Sequence, residues 1–304
     1  MAAMMRKMSR QERRRLGMGL LFASPWIVGF LAFTVYPVIL SFYYSLNVYT
    51  TFGQPMQWVG LQNYVDLLTQ DDLFWVSLYN TLYMVVIGIP FHIILAVLLA
   101  LLLNMSLRGV SIYRTVFYLP TIVPIVATSV LWMWVLNPEY GLINAALSEL
   151  GIHGPGWLTD PELAKPSLIL MGVWTIGGTL VIFLAGLQDI PRQLYDAAMI
   201  DGAGTLSQVR HITLPMLSAV IFFNVVVGVI GGFQIFTQAF IMTNGGPLDA
   251  TLFYALYLYQ NAFKYFKMPY ASAMAWILFL IVIVATLIVF RTSARFVYYE
   301  GEER

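Results

Sequence analysis

The chain is a succession of long apolar stretches separated by shorter polar ones. About 20 apolar residues suffice to cross the hydrocarbon core of a bilayer as a helix. Six stretches meet that measure: Leu16–Leu46, Val76–Leu103, Ile112–Leu136, Pro166–Leu187, Met216–Thr243 and Pro269–Phe290. The pattern predicts an all-α, polytopic membrane protein with six transmembrane helices. Two intervening segments, "GLQNYVDLLTQDDLFW" and "EYGLINAALSELGI", carry apolar residues at helical spacing and predict short interfacial helices on one face.

The connection after the fourth stretch reads differently. In "PRQLYDAAMIDGAGTLSQVRHITLP", Pro191 stands where a helix can begin, because the first turn leaves its N–H unbonded anyway. Leu194, Ala197, Ala198 and Ile200 follow in helical rhythm, and Gly202 supplies a stop. Thr205 and Gln208 then have the T-x-x-Q spacing of a capping box. Leu206, Val209 and Ile212 form an apolar face, and Pro215 leads into the fifth stretch. Helix, Gly-Ala-Gly turn, helix is the expectation. It has the outline of a DNA-reading motif, but it is nearly charge-balanced and tied to two membrane stretches, so nucleic acid is not its partner.

Composition supports lipid as the solvent. Hydrophobic residues make up 60% and charged residues only 10% of the 304, against roughly 25% charged in a soluble domain. The basic residues then give orientation. Arg6, Lys7, Arg10, Arg13, Arg14, Arg15, Arg108, Arg114, Arg192, Arg210, Arg291, Arg295 and Arg304 fall on one side, and only Lys165, Lys264 and Lys267 on the other. Lys and Arg accumulate on the cytoplasmic side, which puts both termini there. The basic start followed by a long apolar run without a small-residue cleavage pattern reads as a retained first membrane helix rather than a signal peptide.

Missing chemistry narrows the function. No Asp, Glu, Lys or Arg falls clearly inside a stretch, and His92 is the one ionisable exception. Ion-coupled carriers keep carboxylates near the midplane and voltage sensors need an arginine series. There is no Gly-Lys pair, hence no P-loop. With no cysteine, and with His92, His153 and His211 far apart in sequence, no metal site, nucleophile or bound cofactor is expected. His92 reads as an interhelical hydrogen-bonding residue rather than a proton relay. Energy for uphill transport would have to enter from outside the lipid.

Uncharged polar residues do occur within the stretches. Trp174, Thr175, Gly178 and Thr179 interrupt the fourth; Asn224, Gln234, Thr237 and Gln238 interrupt the fifth. In a continuous helix Gln234, Thr237 and Gln238 would share one face. They suit interhelical hydrogen bonding, with Gly228 and Gly232 as a close-packing seam. They equally suit a wall of amides, hydroxyls and aromatic rings along a path for an uncharged, hydroxyl-rich solute.

The segment Asp196-Ala197-Ala198, Asp201-Gly202-Ala203, Ile212-Thr213-Leu214-Pro215 resembles, in residues and spacing, the EAA motif of permease subunits of ABC importers. Two positions depart from it: Asp196 stands where Glu is usual, and Ala219 where a second proline is common. "MTNGGPLDATLFYALYLYQNAF" and "MPYASAMAWILFL" are similar to the MalF- and UgpA-like subunits of carbohydrate importers. The resemblance implies a compact, type I (MetI-like) permease fold in a prokaryotic cell membrane. Residues 1–15 and 296–304 would be cytoplasmic tails, and 16–295 the permease domain with its coupling loop at 188–215. It further implies a second permease subunit, two ATPase subunits that use ATP and Mg, and an extracytoplasmic substrate-binding protein. The solute implied is a di- or oligosaccharide, with glycerol-3-phosphate or its diesters as the alternative and an ion-coupled carrier as a remoter one.

Overall fold

The structure, a computed structural model, describes residues 10–49, 56–105 and 108–293. The segment 296–304, most of 1–15, and Arg6, Lys7, Arg295 and Arg304 lie outside the described residues.

Helices account for most of the chain. α1 is Arg10–Ser45, and a two-strand ribbon pairs β1 (Asn47–Val48) with β2 (Gln57–Trp58). The predicted interfacial helices are present as α2 (Gln62–Thr69) and, further on, α6 (Leu142–Glu149). α3 runs Asp72–Leu103, followed by α4 (Val110–Ile122) and α5 (Ile125–Val135). After α6 come α7 (Ala164–Trp174) and α8 (Gly177–Gln188), then α9 (Arg192–Ile200), α10 (Thr205–Met216) and α11 (Ser218–Gly232). α12 (Thr237–Met242), α13 (254–264) and α14 (Met268–Ser293) complete the chain.

α1, α3 and α14 are each long and apolar enough to cross a membrane. The other stretches are broken: α4 meets α5 at 103° and α7 meets α8 at 52°, while α11, inside the fifth stretch, meets the preceding α10 at 61°. In the third and fourth stretches the break has a local cause. Pro124 has no N–H to give, and it holds Val123 extended at ψ 128°, so α4 cannot run on into α5. α7 ends at Trp174, and α8 starts at the Gly177-Gly178 pair, where its backbone approaches α4 so closely that a Cβ on Gly177 would lie 2.4 Å from the Phe117 carbonyl oxygen.

Prolines leave a second mark. Leu31–Val35, Met84–Gly88 and Val209–Thr213 are single π-helical turns, each ending two residues before a proline: Pro37, Pro90 and Pro215. A proline inside a helix frees one carbonyl and crowds the preceding turn. Widening that turn to i→i−5 bonds, as from Leu214 N–H to the Val209 carbonyl, relieves the crowding without ending the helix.

Burial falls into two main clusters. One unites Leu67, Phe74, Leu168, Met171, Phe253, Tyr254 and Met274 around α3, α7, α13 and α14. The other unites Ala96, Ala100, Leu180, Phe183, Leu187 and Leu217 where α3, α8 and the start of α11 meet. Outside them the helices present large apolar side chains outward, such as Phe22, Phe33, Ile94, Val227 and Leu287. An apolar exterior over a small core is what a lipid-solvated chain needs.

Candidate functional site

The polar connection after α8 folds into a two-helix knob. α9 closes at Asp201, and Gly202 takes φ +77°, a left-handed backbone that L side chains adopt at a cost. The Ala203 N–H donates to the Ala198 carbonyl at 2.8 Å and the Gly202 N–H to that of Met199 at 3.1 Å, which makes a Schellman ending. The predicted capping box is not formed. Gly204 is the N-cap of α10, with no side-chain cap bond. Gln208 instead turns its Nε2 back to the Ala203 carbonyl at 3.0 Å, which clamps the turn rather than the helix start.

The knob is fixed to the membrane helices from its inner side. Tyr195, half-buried, packs against the buried cluster that holds Leu187 and Ile190, and its Oη lies 3.0 Å from Thr213 Oγ1. The opposite surface is apolar and bare: Ile200 is 87% and Leu206 82% exposed, with Met199 beside them. Of the motif residues, Asp196, Ala197, Asp201, Gly202, Leu214 and Pro215 are exposed, whereas Ala198, Ala203 and Ile212 are half-buried. Of the apolar face formed by Leu206, Val209 and Ile212, the latter two are half-buried and Leu206 is exposed.

The polar residues of the fourth and fifth stretches are differently placed. Trp174, Thr175, Gly178 and Thr179 sit around the α7–α8 break, all half-buried, and the Trp174 ring meets that of Trp132 edge-on at 6.4 Å. Asn224 is buried in α11 and donates to its own helix at the Val220 carbonyl, 2.8 Å away. Gln234 does not share a helix face with Thr237 and Gln238. α11 stops at the Gly231-Gly232 pair, poor helix formers, and residues 233–236 are not helical before α12 begins. Gln234 is exposed at that break and Thr237 and Gln238 are half-buried on α12. The glycine seam is present: a Cβ on Gly228 would stand 2.9 Å from Ile89 Cγ2, and one on Gly232 would stand 2.8 Å from Ile89 Cδ1.

Aromatic side chains crowd the same break. Phe236 stacks on Phe240 at 5.3 Å, and Tyr259 touches both, with Phe263 following at 5.2 Å. Sequence spacing could not pair α12 with α13, so this four-ring ladder was missed. His92 is an interhelical donor, as read: its Nε2 lies 2.8 Å from the Ile169 carbonyl, in the space left by Gly172.

Two tethers bind the connections at the end of the molecule away from the knob. Lys165, in the first turn of α7, places its Nζ 2.9 Å from Asn80 Oδ1 and 3.2 Å from the Ala250 carbonyl, over the rings of Tyr79 and Tyr83. Asn80 in turn donates to the Asp249 and Leu252 carbonyls, which fixes the tight "NGGPLD" loop on α3. Asp71 caps α3 through Oδ1 at the Phe74 N–H and accepts from Tyr257 and Tyr270 through Oδ2, at 2.7 and 2.6 Å. Burial, together with this bond to Asp71, holds the Tyr257 hydroxyl well above the ordinary tyrosine range. Among the described residues no cluster of His, Asp and Glu has the form of a metal site.

Known proteins share this arrangement. A permease protein of Bacillus subtilis (strain 168), described as the probable ABC transporter permease YesP, is 44% identical over 301 residues, covering 98% of this chain and 97% of its own. The lactose transport system permease protein LacF of Rhizobium radiobacter is 35% identical, with 90% and 92% covered. A crystal structure of a bacterial ABC transporter involved in the import of the acidic polysaccharide alginate superposes with a TM-score of 0.82 at 26% identity, covering 94% of this chain and 99% of that one. Residues 76–297, which include the knob, both bent pairs around it and α14, match the family described as binding-protein-dependent transport system inner membrane component. The chain belongs to that family, the permeases of ABC importers.

Proposed function

We propose that this chain is a permease subunit of an ATP-driven, binding-protein-dependent importer of di- or oligosaccharides. In this reading it crosses a prokaryotic cell membrane six times with both termini in the cytoplasm. It forms half of the translocation path, with a second and different permease supplying the other half. Two ATPase subunits bind the ATP and Mg, and an extracytoplasmic binding protein delivers the sugar. The observation that carries the reading is the knob of α9 and α10, rigid on its inner side and bare and apolar at its tip. A bare apolar tip on an otherwise polar connection is a docking surface, and its seat would be a cleft of the ATPase. ATP-driven closure of the ATPase pair would draw the knobs together. Through Pro215 and the π turn before it, the motion would reach α11 and open the path to the outer side.

A neutral sugar fits the break between α11 and α12, where Gln234, Thr237 and Gln238 adjoin the Phe236–Phe240–Tyr259 ladder. Amides and hydroxyls bond sugar hydroxyls, and ring faces cover the apolar side of a pyranose. Trp174, Thr175, Gly178, Thr179 and Asn224 would serve the same path, Asn224 only after a rearrangement that exposes it. Relatives named for lactose and for trehalose and maltose support carbohydrate over glycerol-3-phosphate. The deciding experiment is uptake by the reconstituted importer, preceded by a thermal-shift screen of its binding protein against sugars and glycerol phosphates. Stabilisation by glycerol phosphates alone would overturn the sugar reading.

A further inference from the structure

One cavity belongs neither to the knob's docking tip nor to the polar path. A groove of about 580 Å³ opens between the end of α10, the start of α11 and the last turns of α14. Ile221, Phe222, Val225 and Val289 make it apolar, and the exposed Arg210 also lines it. The neighbouring hydroxyls donate to nearby backbone: Ser218 to the Pro215 carbonyl, Thr292 to that of Ile288 and Ser293 to that of Phe290. Among the described residues no carboxylate lines the groove, and Arg210 is the one charged donor in the lining.

We propose that this groove binds an anionic phospholipid of the cytoplasmic leaflet, with its phosphate on Arg210 and an acyl chain along the apolar floor. The inference rests on the orientation proposed above, not on the identity of the solute. Three other occupants fit worse. A sugar would lay hydroxyls against a floor that offers them no partner. A soluble anion would satisfy Arg210 and leave the apolar floor in contact with water. A helix from a partner subunit would cover Arg210 without a counter-charge unless it carried its own carboxylate. An amphiphile with a negative head matches both ends, and basic pockets between membrane helices on the cytoplasmic side suit such headgroups. Arg210 lies in the π turn between Gly202 and Pro215, so an occupied groove would steady the joint through which the knob moves α11.

The test counts lipids retained by the full chain. The protein is embedded in nanodiscs of phosphatidylcholine mixed with phosphatidylglycerol, then released and weighed by native mass spectrometry. Arg210→Gln is expected to lower retained phosphatidylglycerol about fivefold, the worth of one interfacial cation. Val225→Trp, which fills the floor and keeps the charge, is expected to lower it as well. Arg291→Gln is the control, since Arg291 ends the same helix about 200° around from Val289 and should change nothing. Retention unaltered by Arg210→Gln overturns the proposal. So does an equal loss with Arg291→Gln, which would mean general surface charge. A photoreactive group at position 225 that captures a protein chain in the assembled importer, instead of lipid, overturns it too.

Discussion

The hydroxyl of Tyr195 on α9 lies 3.0 Å from that of Thr213 on α10, across the turn that separates the two helices of the knob. The contact, with the half-buried Tyr195 against the cluster that holds Leu187 and Ile190, ties the knob to the membrane helices. Tyr195→Phe removes only the hydrogen bond, about 1 kcal/mol, and should lower sugar uptake modestly with unchanged assembly. Tyr195→Ala also empties the ring's space, at a cost of about 3 kcal/mol or more. ATP hydrolysis should then continue while uptake falls steeply. Parallel measurement of ATPase rate and uptake in proteoliposomes checks this; equal losses in both would mean that the contact does not transmit motion.

Gly202 offers a cleaner test of shape. Its φ is +77° and an added Cβ would meet nothing within 4 Å, so substitution there costs backbone strain alone, about 1–2 kcal/mol for an ordinary residue. Asn tolerates this backbone better than other side chains. The expected order of uptake is Gly above Asn above Ala, with Gly202→Asp at the bottom because it adds charge at the docking tip. Affinity of the binding protein for sugar should be the same throughout. An order set by side-chain size instead would place the effect in docking rather than in the turn.

Ile200 and Leu206 stand nearly fully exposed at that tip. Central apolar contacts of an interface are commonly worth about 2 kcal/mol each, or roughly thirtyfold in affinity. Ile200→Glu should therefore release the ATPase subunits during purification while the permease stays folded, as read by its melting temperature. Full recovery of the ATPase with both Ile200→Glu and Leu206→Glu would remove the docking role.

These elements were legible in the sequence for local reasons. Hydropathy counts residues along one strand of chain, and Gly202 and Pro191 act on their own backbone. The six apolar stretches and the two-helix knob follow from that. What escaped was set by partners distant in sequence. Lys165 lies 85 residues from Asn80 in the chain, and neither residue type announces the other. Gln234 was assigned to a helix face because residues 216–243 form one mostly apolar stretch, yet the Gly231-Gly232 pair, whose Gly232 lies against Ile89 and Val85, outweighs that pattern.

The Lys165–Asn80 pair carries a stability prediction. Asn80 joins α3 to the Asp249 and Leu252 carbonyls and to the Lys165 ammonium. Asn80→Ala leaves that ammonium with the Ala250 carbonyl and the two tyrosine rings. Loss of a hydrogen bond to a charged group costs about 1.5–3 kcal/mol, so the melting temperature in detergent should fall. Lys165→Met removes the charge but keeps the stem, so Lys165→Met with Asn80→Ala should cost less than the sum of the two single changes. Additive losses would show that the pair is not coupled.

Gln234 and Gln238 separate a path from a packing seam. Were they packing residues, their loss would register first in stability, and half-buried Gln238 would matter more than exposed Gln234. Were they sugar contacts, both would change transport, because a sugar passing the α11–α12 break meets amides on either side of it together with the Phe236–Phe240 stack. Gln234→Ala and Gln238→Ala should leave the melting temperature within about 0.5 kcal/mol equivalent and alter the ratio of uptake rates between two sugars. Phe240→Ala should alter that ratio in the same direction by removing a stacking face. Unaltered ratios for all three, with a lowered melting temperature for Gln238→Ala, would assign the break to packing and move the sugar path elsewhere, toward Trp174 and Thr175.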